Sequence, residues 1–138
     1  MATPADLIQQ GVAPSPDLDN IVMREVYTSR DGGATVNFTG YPRNYIRAGH
    51  VLIKDGGDIK PLGLNGAGDG YEAVTDQDIY GHAVQTVGAD NPLVGVCYHG
   101  KFNPEVVDAS AGYFDAKPIL DDLKEAIPHM IYEGDNAY

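Results

Sequence analysis

Residues 79–103 read IYGHAVQTVGADNPLVGVCYHGKFN and contain the two most apolar segments of the chain, at 79–87 and 92–100. Both segments are short and rich in β-branched residues, which favours strands over helices. The Gly-Ala-Asp-Asn between them is typical of a turn. We expect the second strand to continue through residues 101–103 and to stop at Pro104, because proline cannot donate a hydrogen bond to a neighbouring strand.

Three glycines, Gly81, Gly95 and Gly100, interrupt these apolar segments. A glycine inside a strand usually marks a bulge, a sharp bend or a close approach of another backbone. Short strands with regular turns also fill most of the remaining sequence. The fold class that we predict is therefore mostly β: a small β-barrel or β-sandwich with one short late α-helix and an extended N-terminal arm.

The stretch RAGHVLIKDG, at residues 47–56, precedes this region and shows the same alternation of strand and turn. We expect Ala48 and Gly49 to let the chain turn at close backbone distance into a strand at 50–54. Replacement of Gly49 by valine is therefore expected to impair folding or solubility. The Asp-Gly-Gly-Asp at 55–58 predicts the turn that follows the strand.

Two further strand patterns lie on either side of this segment. Residues 21–29 and 34–38 are β-branched or aromatic, and we predict that they form a hairpin closed by the Asp-Gly-Gly turn at 31–33. Residues 59–64 predict a short strand, which Pro61 limits to an edge or an end of the sheet.

The glycine-rich and acidic segments lack the spacing of known ligand motifs. The loop NGAGDG at 65–70 has no lysine or helix after it and does not match the dinucleotide fingerprint, so we expect a turn. Asp76 and Asp78 share a face if the chain is extended there. A weak cation-binding pair and a solvated loop both remain open for them.

One segment, KPILDDLKEAI at 117–127, predicts a helix. Pro118 suits its first turn and Pro128 ends it. Its apolar residues recur at intervals of three and four and form one stripe for packing on the sheet. They are Ile119, Leu120, Leu123, Ala126 and Ile127. The following HMIYE, at 129–133, predicts a last short strand.

Residues 1–20 differ from the rest, and we divide the chain into an extended arm at 1–20 and a β-rich domain at 21–138. Prolines interrupt the first segment and aspartates keep it polar, so it forms at most one turn of helix. A disordered tail and an arm that orders on a neighbour's surface both remain open. The arm residues best suited to such contacts are Leu7, Ile8, Pro14 and Pro16.

The net charge of −11, from 9 Lys and Arg against 20 Asp and Glu, argues against binding to nucleic acid or to an anionic membrane. No apolar stretch is long enough for a membrane helix, and the start lacks the regions of a secretory signal. We expect a protein that is made in the cytoplasm and remains there unless it leaves inside a larger particle.

No catalytic pattern stands out, so we predict a protein that is not an enzyme and has no catalytic residues, cofactor or metal. Cys97 lies in an apolar run and is expected to be buried, although the nearby His99 leaves a reactive thiol open. The four histidines, at His50, His82, His99 and His129, lack zinc-site spacing. Their convergence in space would support a small enzyme instead.

Tyrosine is abundant, with 9 residues against 3 Phe and no Trp. A half-buried tyrosine combines apolar contact area with a polar tip, which suits contacts between proteins. It would also suit stacking on sugars. An adhesin-like carbohydrate- or receptor-binding module is therefore the alternative function.

Two stretches of this chain resemble the head decoration, or auxiliary capsid, proteins of tailed bacteriophages. IRAGHVLIK at 46–54 resembles the entry strand of that family, and residues 79–103 resemble its core, which ends in a Gly-x-Val-Asn step. Phe102 replaces the valine of that step here. The matching positions of the fold motif are Ala48, Gly49, Gly100 and Asn103.

The order of elements matches this family over residues 21–133. The loop at 65–70 and the segment at 21–33 make the chain more similar to auxiliary capsid or head-fibre proteins of phages of gut Bacteroidetes than to the smallest lambda-type members. The resemblance implies a structural virion protein on the capsid exterior. Its partner would be the major capsid protein of the same phage, which it would bind as a homotrimer or as the base of a head fibre. The N-terminal arm would then contact the capsid.

Overall fold

The computed structural model describes residues 22–30 and 32–132, of which 42% are strand and 10% helical. In chain order the strands are β1 (Met23–Ser29), β2 (Ala34–Thr35), β3 (Tyr45–Ile46), β4 (Val51–Asp55), β5 (Asp58–Pro61), β6 (Asp78–Ala83), β7 (Val87–Gly88), β8 (Leu93–Val94), β9 (Val96–Phe102) and β10 (Met130–Tyr132). A 3₁₀ turn at Lys117–Ile119 leads into the helix α1 (Leu120–Ala126).

The main sheet has six strands, in the order β1–β9–β6–β4–β5, with β10 paired to β9. Its pairings are antiparallel except for β10, which runs parallel to β9. Two small antiparallel sheets, β2–β8 and β3–β7, complete the strand pairing of the described residues. The prediction of a mostly β fold with one late helix is confirmed, and the sheets are open rather than closed into a barrel.

The main sheet is covered on both faces near its centre. Val51 and Leu52 are adjacent in β4, so their side chains point to opposite faces, yet both are fully buried. Val51 packs in a cluster with residues of α1, β9 and β10, whereas Leu52 packs with residues of the two small sheets. Burial on both faces explains why the central segments of the sequence are almost continuously apolar.

The helix forms where the apolar stripe predicts it. Pro118 lies in the 3₁₀ turn that precedes α1, and the chain leaves helical geometry at Ile127, before Pro128. Of the predicted stripe, Ile119, Leu123 and Ile127 are buried, Leu120 is partly buried and Ala126 is exposed. The stripe thus packs through residues spaced four apart.

The predicted hairpin between residues 21–29 and 34–38 is wrong. Within the described part of the chain, β1 pairs with β9 and β2 pairs with β8. The glycine turn does form, with φ values of 76° at Gly32 and 70° at Gly33. At the end of β1, however, the amide of Arg30 donates a hydrogen bond of 2.8 Å to the carbonyl of Val96, which holds β1 on β9.

The two most apolar segments, at 79–87 and 92–100, are each divided between two strands. Residues 79–87 divide between β6 and β7, and residues 92–100 divide between β8 and β9 at Gly95. Gly95 accepts a hydrogen bond of 3.0 Å from Val84, so the two breaks lie side by side. The predicted bulges and close approaches occur at Gly81 and Gly100, where a Cβ atom would lie 2.7 Å from the Cys97 carbonyl and 2.3 Å from the Glu25 carbonyl respectively.

The four residues of the fold motif are all buried. Ala48 is 2% exposed, and Gly49 has a φ of 85°. A Cβ atom at Gly49 would lie 2.4 Å from Val22 and 2.5 Å from the ring of Phe102. Gly100 pairs with both β1 and β10, and the amide of the buried Asn103 donates to the carbonyl of Val22 at 2.8 Å.

We predict that Gly49→Ala lowers the free energy of unfolding by about 1–3 kcal/mol more than Gly56→Ala does. Both glycines have positive φ, at 85° and 62°, so both variants bear the cost of left-handed backbone. Only Gly49 also has side chains in the way, because nothing lies within 4 Å of a Cβ at Gly56. Urea denaturation of both variants measures the difference, and equal losses would contradict the packing argument.

Candidate functional site

Among the residues that the structure describes, the strand β1 forms an edge of the main sheet. Its only strand partner among the described residues is β9, and residues 24–29 are all exposed. Val26 and Tyr27 are 40% and 51% exposed, although both are large apolar side chains. An exposed edge strand presents unpaired backbone groups and is a ready template for another chain.

The solvent-facing side of β1, β9 and β10 carries alternate residues from the three adjacent strands. We call this surface the outer patch. It consists of Glu25, Tyr27, His99, Lys101, His129 and Ile131. The rings of Tyr27 and His99 meet edge to face at 5.2 Å between centroids, and those of His99 and His129 lie 5.8 Å apart. Aromatic and imidazole rings therefore run across the sheet in one row.

The charges of the outer patch are paired around Glu25. The hydroxyl of Tyr27 donates a hydrogen bond to Oε2 of Glu25, and Nζ of Lys101 lies 3.6 Å from the same oxygen. The Tyr27 hydroxyl and then the Lys101 ammonium lower the pKa of Glu25, while the hydrogen bond to Glu25 raises the pKa of Tyr27. Both groups are exposed, so this arrangement orients the side chains more than it stabilises the fold.

Arg30 anchors the end of β1 beside this surface. Its guanidinium lies 4.5 Å from the ring centroids of both Tyr80 and Tyr98. Nη2 also donates to the carbonyl of Tyr80 at 3.1 Å. A cation between two aromatic faces is held by the electrostatics of both rings. The edge strand is thus fixed to the sheet by a side chain as well as by its ladder.

The side chain of His82, in β6, is fully buried, and its ring contacts several elements. Its Nδ1 lies 2.8 Å from the carbonyl of Gly49 and its Nε2 lies 3.0 Å from the hydroxyl of Tyr132. The carbonyl can only accept, so Nδ1 carries the proton and Nε2 accepts from the tyrosine. The ring also stacks on Phe102 at 4.6 Å. Burial lowers the pKa of His82 to about 4.

His50 occupies a second buried position, among aromatic side chains. Its ring meets Tyr41, Tyr71 and Phe114 edge to face at 5.0–5.8 Å. Nε2 donates to the carbonyl of Leu62 at 3.1 Å, whereas Nδ1 has no hydrogen-bond partner among the described residues. Burial lowers the pKa of this histidine to about 3. Both buried histidines are therefore neutral parts of the core.

The four histidines do not converge on one site. His50 and His82 are bound to backbone carbonyls in the interior, whereas His99 and His129 contact each other on the outer patch. Cys97 is buried as expected, and burial raises the pKa of its thiol, which disfavours the reactive thiolate. No group of three His, Cys, Asp or Glu within residues 22–30 and 32–132 is placed to hold a metal ion.

The glycine-rich loop at 65–70 forms a turn, whereas the acidic residues Asp76 and Asp78 lie before and at the start of β6. In the 65–70 loop, the amide of Asn65 donates to the carbonyl of Gly70 at 2.9 Å, and its side chain donates to Asp69 at 3.1 Å. Asp76 and Asp78 line an open cleft with Asp55, whose carboxylate pairs with Lys60 at 3.2 Å. The hydrogen bonds of Asn65 show that the predicted turn is present at 65–70.

The sequence alone could not have found the outer patch. Its histidines lie 30 positions apart in the chain, at 99 and 129, and meet through the parallel pairing of β10 with β9. The arm residues Leu7, Ile8, Pro14 and Pro16 lie outside the described residues. None of the helices in the described part of the chain has the length and apolar character needed to cross a membrane.

Comparison of the chain with protein-family models, with curated proteins and with solved structures finds no match. The resemblance of residues 46–54 and 79–103 to head decoration proteins therefore stays a prediction from sequence.

We predict that the protein loses about 2 kcal/mol of unfolding free energy per buried histidine between pH 7 and pH 5. The folded-state pKa values of about 3 for His50 and about 4 for His82 lie below the usual value near 6.5 of an unfolded histidine. The unfolded state therefore binds more protons in this range, and stability falls as the pH falls.

Urea denaturation at several pH values tests this dependence. His82→Asn and His50→Asn should each be less stable at pH 7 and should each retain about half of the pH dependence, because one titrating group remains. A pH dependence that is the same in both variants as in the original protein would contradict the assignment.

Proposed function

We propose that this chain is a structural protein of a tailed-bacteriophage particle that binds the outer surface of the capsid. The observation that carries the proposal is the free edge β1, a seven-residue strand whose residues 24–29 are exposed in the described structure. The partner that suits such an edge is an extended segment of another protein, which adds as a further strand through main-chain hydrogen bonds.

The backbone of the edge strand β1 is irregular, and this irregularity restricts which strands can pair with it. The pairing of β1 with β9 shifts register between Met23 and Glu25, between Val26 and Thr28, and between Thr28 and Ser29. Bulges of this kind discourage unspecific pairing of edge strands. A partner strand therefore has to match both the irregular edge and the exposed side chains of Val26 and Tyr27.

The interior of the protein suits a structural role. Both faces of the central strands are packed, and the two buried histidines are held neutral by burial. A domain with a well-packed core has little conformational freedom to lose when it docks, so more of the contact energy contributes to affinity. Each copy need contribute only a few kcal/mol, since many copies act together on one shell.

The identity of the partner rests on sequence. The resemblance of residues 46–54 and 79–103 implies the major capsid protein of the same phage and attachment as a homotrimer or as the base of a head fibre. The net charge of −11 supports an exterior position, because a strongly acidic protein is repelled by packaged DNA.

The carbohydrate-binding alternative receives less support. Among the tyrosines of the described residues only Tyr27 is exposed, and it lies on β1 rather than beside the 65–70 loop. That loop is closed by its own hydrogen bonds. A sugar site made of exposed tyrosines and this loop therefore has few of its expected parts.

We predict that Val26→Lys weakens binding to capsids of the same phage by roughly tenfold or more, which is about 1.4 kcal/mol per site. Val107→Lys is the matched control, since Val107 is a valine of similar exposure, 45% against 40%, outside the strands. Binding is measured by co-sedimentation of each purified variant with heads that lack the protein.

Circular dichroism and urea denaturation establish that both variants are folded before binding is compared. Equal binding of the two lysine variants and the original protein would rule out the β1 edge as the docking surface. Failure of the original protein to sediment with the heads would contradict the proposed function itself.

A further inference from the structure

The parallel pairing of β10 with β9 sets two histidines side by side. The register joins Met130 to Gly100 and Ile131 to Lys101, so the preceding residues His129 and His99 are neighbours at the start of this ladder. Their rings lie on the solvent side, with centroids 5.8 Å apart and planes tilted by 55°. His129 is exposed and His99 is half-buried, so solvent reaches the pair.

This separation fits the chelation of one metal ion by two imidazoles. A metal–nitrogen bond of about 2.1 Å places each ring centroid roughly 3.2 Å from the ion. Two rings on one tetrahedral ion then have centroids about 5.2 Å apart, and a wider angle at the ion extends this to about 6 Å. The observed 5.8 Å lies within that range, so the separation of the two rings fits one shared ion.

The ring nitrogens of this pair are available for a ligand. Within the described part of the chain the ring nitrogens of His99 and His129 make no hydrogen bond, and the two rings contact each other and Tyr27. In contrast, His50 and His82 use ring nitrogens in buried hydrogen bonds. The chain therefore contains one accessible histidine pair and two histidines that serve as internal controls.

The charges of Glu25 and Lys101 beside the pair offset each other, and the net charge of the whole protein attracts cations. Tyr27 packs against the His99 ring at 5.2 Å and is itself held by Glu25, which limits the orientations of His99. The ammonium group of Lys101 would repel a bound cation, but it is paired with the carboxylate of Glu25 at 3.6 Å. The net charge of −11 raises the local concentration of cations around the protein.

We propose that His99 and His129 bind one borderline transition-metal ion, of the class of Zn²⁺, Ni²⁺ and Cu²⁺, on the outer patch. Imidazole is a preferred ligand of these ions, whereas Mg²⁺ and Ca²⁺ prefer oxygen. Two protein ligands leave the remaining coordination positions for water or for a side chain of a docked partner. The proposal concerns this pair alone and does not depend on the capsid assignment.

Isothermal titration of the full chain with ZnCl₂ and NiCl₂ in a buffer that does not chelate metals tests this site. We expect saturable binding that Mg²⁺ in excess does not compete away. His129→Gln and His99→Gln should each weaken the binding at least tenfold, because each removes half of the chelate. Since His129 is exposed, its variant should remain folded.

The matched control is the double variant Asp76→Asn, Asp78→Asn, which changes the acidic cleft and leaves the outer patch intact. It should bind both ions as the original protein does. In NMR spectra of the histidine rings, addition of Zn²⁺ should shift the signals of His99 and His129 and leave those of His50 and His82 in place.

Binding that is unchanged in both histidine variants would overturn the proposal, as would the absence of saturable binding. Loss of binding in the aspartate variant, with both histidine variants unaffected, would assign the ion to the acidic cleft and would equally overturn it.

Discussion

The buried ring of His82 is the contact on which the arrangement of the elements depends. The residue lies in β6, and its ring stacks on Phe102 of β9. One ring nitrogen accepts a hydrogen bond from the hydroxyl of Tyr132 in β10, and the other donates to the carbonyl of Gly49, which precedes β4. One neutral ring thus fixes the relative positions of four segments that are distant in sequence. Protonation would leave Nε2 facing a tyrosine hydroxyl that can no longer donate to it, and the charge would be buried among aromatic rings.

The constraint at His82 also explains why the chain turns so tightly at Gly49. The carbonyl of Gly49 accepts from the histidine while the backbone passes against Phe102 and Val22, where a side chain at Gly49 has no room. His82 also contacts Tyr132 of β10 and Phe102 of β9 on the buried side of these strands, and outward residues of the same region form part of the outer patch. Packing on the buried side of the sheet therefore helps to position the outer patch. Arg30, through its contacts with Tyr80 and Tyr98, fixes the edge strand β1 to the same sheet.

Local signals in the sequence were sufficient for the elements whose causes are local. Gly56-Gly57 closes the β4–β5 hairpin, Pro61 ends the edge strand β5, and the segment around Pro118 begins the helix. The hairpin assigned to residues 21–38 failed because its strands find better partners far along the chain, on β9 and β8. Of the candidate site, the sequence predicted the strand at 21–29 that contains β1, but not its pairing with β9. The meeting of His99 with His129 depends on a parallel pairing that no short pattern encodes.

A β core that is packed on both faces carries an exposed edge strand, which we propose as the capsid-binding surface. The number of copies of this chain per copy of the major capsid protein in purified virions, measured by quantitative mass spectrometry, tests that assignment most directly. We expect a fixed ratio that corresponds to hundreds of copies in each particle, because the protein would bind at repeated positions of the shell. Absence of the chain from purified virions would contradict it.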